Sequence, residues 1–213
     1  MQNDHWKGDR RLYCGVTGTG KTTMGAKEFL AEEARWHFVY DPEELFSHRY
    51  GGKPVGQAEL REATEAGGLV CYDPSIDGIV DYTVGTKKEP GALSFFCSFI
   101  LDIGKSGDLP GRKVVWIDEL DMLSDTRSYS PDLTGLWQTG RKYEVDIFAV
   151  SSCPASISKR LSFNFITTFR QSPPNCEALA PYGISQEEQM ALGTHGWIRV
   201  DTRTGHITRS KIK

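Results

Sequence analysis

The chain has 213 residues, 38% hydrophobic and 25% charged, with a net charge of −3. That is enough material for the core of one domain, and an aromatic content of 11% argues against disorder. No global field attracts nucleic acid, and Cys14, Cys71, Cys97, Cys153 and Cys176 contain no CxxC pair, so neither a disulfide framework nor a zinc site is expected. The histidines show no ligand spacing either.

The first residues, MQNDHWKGDRR, hold no apolar run that would serve as the core of a signal peptide. The chain is therefore expected to stay inside a cell and not to be secreted. Arg10–Gly15 reads as a strand, a glycine-rich loop follows, and Lys21–Arg35, rich in Ala, Glu and Met, reads as a helix. Trp36–Asp41 and Gly68–Asp73 are the next strands. The apolar run Ala92–Leu101 is about half the ~20 residues that a membrane span needs. It is read as part of a buried helix over Gly91–Ile103, with Phe95, Phe96, Phe99, Ile100 and Ile103 on one stripe.

Lys113–Glu119 is a strand, Pro131–Lys142 a helix, Asp146–Ser152 a strand, Pro154–Leu161 a short helix and Phe163–Phe169 a further strand. Several strands are continuous apolar runs, as expected when both faces are covered. The fold class expected is α/β, a mainly parallel central sheet flanked by helices, with a C-terminal β-hairpin turning at Thr204-Gly205. The chain is read as a single domain over 1–213, its core at about 10–170 and the hairpin and basic tail at about 171–213. From Asp201 to Lys213 four basic residues face one acidic residue, a pattern read mainly as a solvated basic end.

The stretch YCGVTGTGKTTMGA, Tyr13–Ala26, has Gly15, then four residues, then Gly20-Lys21-Thr22, the spacing of a loop that cradles phosphates. It follows a strand and opens a helix, so backbone N–H groups and the helix N-terminus converge on phosphate oxygens. Gly15, Gly18 and Gly20 permit the tight backbone. Gly15, Thr17, Gly18, Thr19, Gly20, Lys21, Thr22 and Thr23 are the expected ATP-binding residues. Lys21 reaches the β- and γ-phosphates, and the Thr22 hydroxyl ligates Mg²⁺.

The second half of such a site is an acidic residue at the end of a hydrophobic strand, and VVWIDEL supplies it. Asp118 is read as the Mg²⁺ partner and Glu119 as the group that polarises the attacking water. A carboxylate pair argues for hydrolysis over transfer to a small acceptor, and the absence of an NKxD sequence weakens a GTPase reading.

Together with GVTGTGKTT and VVWIDE, the segment Leu136–Arg170, with Gly140-Arg141 before a buried strand and a Ser-Ser-Cys-Pro corner after it, resembles the HerA–FtsK superfamily of DNA-pumping ATPases. The resemblance covers roughly residues 10–170. One departure is Ser152, which stands where the family usually has a γ-phosphate-sensing Gln. The chain looks most like the genome-packaging ATPases of tailless, internal-membrane dsDNA phages (tectivirus-like), which implies a homo-oligomeric ring, hexameric by preference, that pushes double-stranded DNA into a preformed capsid.

That resemblance implies capsid-vertex or membrane-associated packaging proteins as partners, with no transmembrane segment of the chain's own. It also implies location in the host cytoplasm during assembly and then at the virion packaging vertex. Alternatives are a cellular HerA-like or Zot-like DNA-export ATPase and a small P-loop kinase. The resemblance offers Arg141 as the arginine supplied in trans to a neighbour's site, with Arg160 and Arg170 as rivals, while Lys87, Lys88 and Arg127 are candidate DNA-phosphate contacts.

Overall fold

The computed structural model describes residues 8–86, 89–123, 130–157 and 161–210; Lys87, Lys88, Arg127 and Arg160 lie outside them. In chain order the elements are β1 (Arg10–Cys14), α1 (Lys21–Leu30), β2 (Trp36–Tyr40), α2 (Leu45–Tyr50), β3 (Pro54–Val55), α3 (Gln57–Ala66), β4 (Gly68–Tyr72), α4 (Ala92–Ser106) and β5 (Lys113–Ile117). There follow α5 (Leu120–Leu123), α6 (Pro131–Thr139), β6 (Val145–Ser151), β7 (Phe165–Thr168), α7 (Pro173–Leu179), α8 (Gln186–Ala191), β8 (Ile198–Asp201) and β9 (His206–Arg209).

The strands run in the order β3-β4-β2-β5-β6-β1-β7-β8-β9. Of the pairs whose registers are defined, β3/β4, β4/β2, β2/β5 and β1/β7 are parallel, whereas β7/β8 and β8/β9 are antiparallel. The expected mainly parallel α/β sheet with a terminal hairpin is thus observed, and Gly205 takes a φ of 72° in the hairpin turn, a backbone region in which glycine carries no steric penalty.

The chain divides into two compact units. The first comprises Met1–Asp9, Glu32–Ile117 and Ser128–Ile147. Its strand β5, KVVWI, is buried at every position, which explains the unbroken apolar run in the sequence. On α4 the buried side includes Leu93, Phe96, Ile100 and Ile103. Phe96 meets Tyr40 and Tyr72 at ring-centroid distances of 5.5 and 5.9 Å, the separations at which aromatic rings attract beyond simple burial. Phe95 and Phe99, placed on the same stripe by sequence, are half-buried and stack on each other at 6.3 Å.

A charged knot holds the same unit's edges. Asp146 is fully buried within β6, yet its Oδ1 accepts the Gly8 and Asp9 N–H groups and its Oδ2 accepts from Arg112 Nε at 2.7 Å. Arg112 also donates to Glu32 at 2.6 Å. A buried carboxylate without such partners would cost several kcal/mol.

The second unit comprises Arg10–Ala31, Asp118–Arg127 and Phe148–Lys213. Phe148 stacks on Tyr13 at 6.2 Å and meets Phe29 edge-on at 5.6 Å, with the Arg11 guanidinium 4.7 Å above its ring. Glu28 on α1 accepts from Tyr13 Oη and from Arg199 of β8, each at 2.7 Å; burial and the neighbouring Glu28 carboxylate push the Tyr13 phenol well above its usual range. A separate apolar cluster of Ile184, Leu192, Ile198 and Val200, covered by Ile207, anchors the hairpin. Helix α8 is started by a capping box in which Ser185 and Glu188 satisfy each other's backbone N–H.

Element boundaries differ from the sequence reading in instructive places. Helix α1 stops at Leu30 rather than Arg35, because the Ala31 N–H already closes on Lys27 and Glu28 carbonyls and the chain must enter β2 at Trp36, in register with Gly68 and Lys113. Helix α6 ends at Thr139, and Gly140–Tyr143 tightens into a 3₁₀ turn. Pro154–Ser156 is likewise only one 3₁₀ turn, where a short helix is expected. Helices α2, α3, α5, α7 and α8, and the short strand β3, go unread in the sequence.

Candidate nucleotide-binding and catalytic site

The phosphate-loop segment and the acidic pair both belong to the second unit. Strand β1 ends at Cys14, and the loop leaves it through two main-chain tethers: Gly15 N–H donates to the Ser151 carbonyl at 3.3 Å and Val16 N–H to the Arg170 carbonyl at 3.0 Å. Thr19 Oγ1 donates back to the Val16 carbonyl at 2.8 Å, closing the loop on itself. A Cβ on Gly15 would stand 2.8 Å from Phe169 Cβ and 2.9 Å from Thr19 Oγ1, so glycine is required there by close approach. Gly18 and Gly20 require it through backbone angle, at φ of 82° and 92°.

Gly20 is the N-cap of α1, and no side chain caps that end. The first N–H groups of the helix therefore stay available for an anion, with the helix dipole behind them. Thr17, Gly18 and Thr23 are exposed, Gly20 and Thr22 half-buried, and Thr19 and Lys21 buried. Lys21 is only 6% exposed, and its ammonium is one of the charges felt by the Asp118 carboxyl.

Asp118 follows the last residue of β5 and is partly buried. Burial pushes its carboxyl up to about 6, and the nearby Glu119 and Asp121 carboxylates act in the same direction; the Glu119 N–H, donating to Asp118 Oδ1 at 2.9 Å, and the Lys21 charge oppose them. Glu119 is exposed and holds a φ of 47°. Non-glycine residues reach this left-handed region at a cost of about 1 kcal/mol, and such strain concentrates at functional sites.

Residues not selected by the sequence reading complete the surroundings. Asp121 accepts the backbone N–H groups of Ser152 (3.2 Å) and Cys153 (3.1 Å), fixing the corner after β6. Asn175 on α7 donates to the Ser152 carbonyl at 3.1 Å. Ser152 Oγ lies 3.2 Å from Glu119 Oε2 and 3.4 Å from Asp121 Oδ2, as donor to either. His195 stands over the loop, its Nδ1 3.2 Å from where a Cβ on Gly20 would be. The only sequence signal for these residues is that Asp121 trails the acidic pair by two positions and that polar residues line the corner.

Arg141 lies in the 3₁₀ turn Gly140–Tyr143 of the first unit, exposed, with its Cβ packed so closely over Gly8 that a Cβ there would come within 2.6 Å. Arg170 is exposed, and its carbonyl, not its guanidinium, is what the loop uses.

Sequence comparison finds no matching family model and no matching curated protein. Comparison of folds does find relatives. The genome packaging NTPase B204 from Sulfolobus turreted icosahedral virus 2, in complex with AMP, superposes with a TM-score of 0.74 at 15% identity, over 97% of this chain and 98% of that one. The chain has a P-loop NTPase fold. VirB4 of Thermoanaerobacter pseudethanolicus matches this P-loop NTPase fold with a TM-score of 0.67 at 12% identity, over 96% and 89% of the two chains. The N-terminal domain of zonular occludens toxin from Neisseria meningitidis reaches 0.50 at 12% identity, over 97% and 95%. The viral NTPase has also been captured with AMPPCP and with ATP-gammaS.

The donor set suits Mg²⁺ and a triphosphate together. Asp118 and Thr22 are hard oxygen donors, the kind Mg²⁺ takes from protein one or two at a time beside phosphate oxygens and water. No group of three or more His, Cys, Asp or Glu residues able to hold a metal by itself occurs among the described residues.

Proposed function

We propose that the protein is an ATP-hydrolysing motor that translocates double-stranded DNA, packaging a viral genome into a preformed capsid. The observation that carries the reading is the pairing, within one compact unit, of an uncapped glycine-rich helix start with a strand-end Asp118–Glu119 pair. The fold likeness to a viral genome packaging NTPase over nearly the whole of both chains supports the choice of work.

In this reading the N–H groups from Gly18 to Thr23 and the Lys21 ammonium hold the β- and γ-phosphates. Thr22 and Asp118 hold Mg²⁺, which when bound neutralises phosphate charge. Glu119 orients the attacking water and takes its proton. The exposed carboxylate next to a partly buried one suits this division: Asp118 is held by the Glu119 N–H, and the exposed Glu119 is open to water. Arg141 is proposed to reach a neighbouring copy's γ-phosphate, so that the working form is a homo-oligomeric ring, a hexamer by preference. The ring is proposed to work in the host cytoplasm and at the packaging vertex, against capsid or membrane-associated proteins. Among the described residues no helix is long and apolar enough to cross a membrane.

The test is the ATPase rate with and without double-stranded DNA of unrelated sequences. Stimulation by any duplex, falling steeply with salt as expected for phosphate contacts, supports the reading. A rate indifferent to duplex DNA removes it, and stimulation by single strands alone favours the DNA-export alternative.

A further inference from the structure

We infer that Ser152 is a positioning residue for Glu119, holding the carboxylate of the proposed general base through its hydroxyl; the inference rests on the role given to Glu119 above. The Glu119 backbone is held, its N–H donating to Asp118 Oδ1 and its carbonyl accepting from the Met122 and Leu123 N–H groups, whereas its side chain is not locally restrained in the same way. Glu119 is exposed, it sits at the turn between β5 and α5, and its backbone is already in the left-handed region at φ 47°. A flexible carboxylate in that setting samples several rotamers, and only some of them point at any given water. Ser152 Oγ, 3.2 Å from Glu119 Oε2, selects one.

The hydroxyl can do this because the corner that carries it is itself fixed from two sides. Asp121 accepts the N–H groups of Ser152 and Cys153, and Asn175 donates to the Ser152 carbonyl. Cys153 N–H also reaches Ser151 Oγ at 3.1 Å. Asp121 has a second use. A serine hydroxyl carries one hydrogen, and here two carboxylate oxygens compete for it, Glu119 Oε2 at 3.2 Å and Asp121 Oδ2 at 3.4 Å. Asp121 tethers the corner's N–H groups and stands by as the more distant acceptor, so the hydroxyl stays oriented toward the carboxylates and favours Glu119 Oε2, the nearer oxygen. A long amide at this position would reach outward; a serine, held at the base of the corner, reaches the neighbouring carboxylate instead.

The experiment compares steady-state ATP hydrolysis by Ser152→Ala, Ser152→Thr, Glu119→Gln and the Ser152→Ala/Glu119→Gln double variant, with binding of a non-hydrolysed ATP analogue and thermal melting measured on each. The expected result is a fall in kcat for Ser152→Ala of roughly ten- to a hundredfold, the scale of a misplaced catalytic group, with KM and analogue affinity within about twofold of wild type. Thr should restore most of the rate, because it restores the hydroxyl. In the Glu119→Gln background the alanine should add nothing further, the signature of two residues acting as one unit. Wild-type kcat in Ser152→Ala, or its full loss repeated on top of Glu119→Gln, overturns the inference while leaving Glu119 in place. Wild-type turnover in Glu119→Gln overturns the proposed general base itself.

Discussion

Asp118→Asn should stabilise the nucleotide-free protein at neutral pH. The Asp118 carboxyl is pushed from 3.8 up to about 6, chiefly by burial, with the attraction of Lys21 already counted within that shift. A group whose folded pKa lies above its unfolded value is, when ionised, a cost to the fold. Well below pH 3.8 both states are protonated and the cost is absent; it grows as pH rises through the interval from 3.8 to about 6 and is complete above that. Two units at about 1.36 kcal/mol each come to about 3 kcal/mol. Asparagine keeps the shape and an oxygen to accept the Glu119 N–H, and it removes the charge.

For a chain of this size, 3 kcal/mol corresponds to a rise in melting temperature of roughly 6–12 °C. Melting curves at pH 7.5 and pH 4.5, without nucleotide and with EDTA, measure it: the gap between variant and wild type should be large at the higher pH and shrink at the lower. Adding ATP and Mg²⁺ should reverse the ranking, since only wild type retains the carboxylate proposed to hold the metal and so gains stability by ligand linkage. A variant no more stable than wild type at pH 7.5, or a gap that does not close in acid, would refute the claim that burial of Asp118 is a cost held in reserve for metal binding.

Lys21→Ala should abolish turnover and weaken triphosphate binding while the far-UV spectrum stays native, and wild-type hydrolysis by this variant would dismiss the phosphate-loop assignment. Glu119→Gln should bind ATP yet turn over at least ~10²-fold more slowly, whereas Glu119→Gly should also lose turnover but raise the melting temperature of the nucleotide-free protein, because glycine relieves a strain of about 1 kcal/mol at φ 47°; equal or lower stability of the glycine variant would count against that strain. Arg141→Ala should cost roughly 10³ to 10⁵ in turnover at nearly unchanged ATP affinity. Mixing it with Glu119→Gln should restore part of the rate, and no recovery despite demonstrated co-assembly would exclude action across an interface.

The fold was legible where periodicity and burial coincide. Strands β2, β4, β5 and β6 are apolar runs buried almost throughout, β4 apart from its first two residues, and such runs announce themselves in any sequence. The missed helices have the opposite character. Helix α3 buries only Leu60 and Thr64, α8 only Gln189, and α2 spans six residues beginning after a half-buried Glu44 in left-handed conformation. An element that hides one or two side chains leaves no stripe to find. The premature end of α1 is the same lesson in reverse: the composition from Ala31 to Arg35 favours helix, and the register of β2 against β4 and β5 overrules it.

The site divides along the same line. Glycine spacing and a strand-end acidic pair are chain-local, so Gly15, Lys21, Thr22, Asp118 and Glu119 could all be selected without coordinates. Of the residues around them, Asp121 trails the acidic pair by two positions, but Ser152 lies 31 positions beyond Asp121 and Asn175 another 23 beyond Ser152. No spacing rule connects them, and the corner at Ser152 reads from sequence as a departure from the expected Gln. The hydrogen bonds give that departure a physical content. A glutamine senses by reaching; a serine fixed by Asp121 and Asn175 reaches only as far as its nearest carboxylate, and that carboxylate belongs to Glu119. With Glu119 as the proposed base, a short side chain at this corner puts its hydrogen bond on the group proposed to prepare the water.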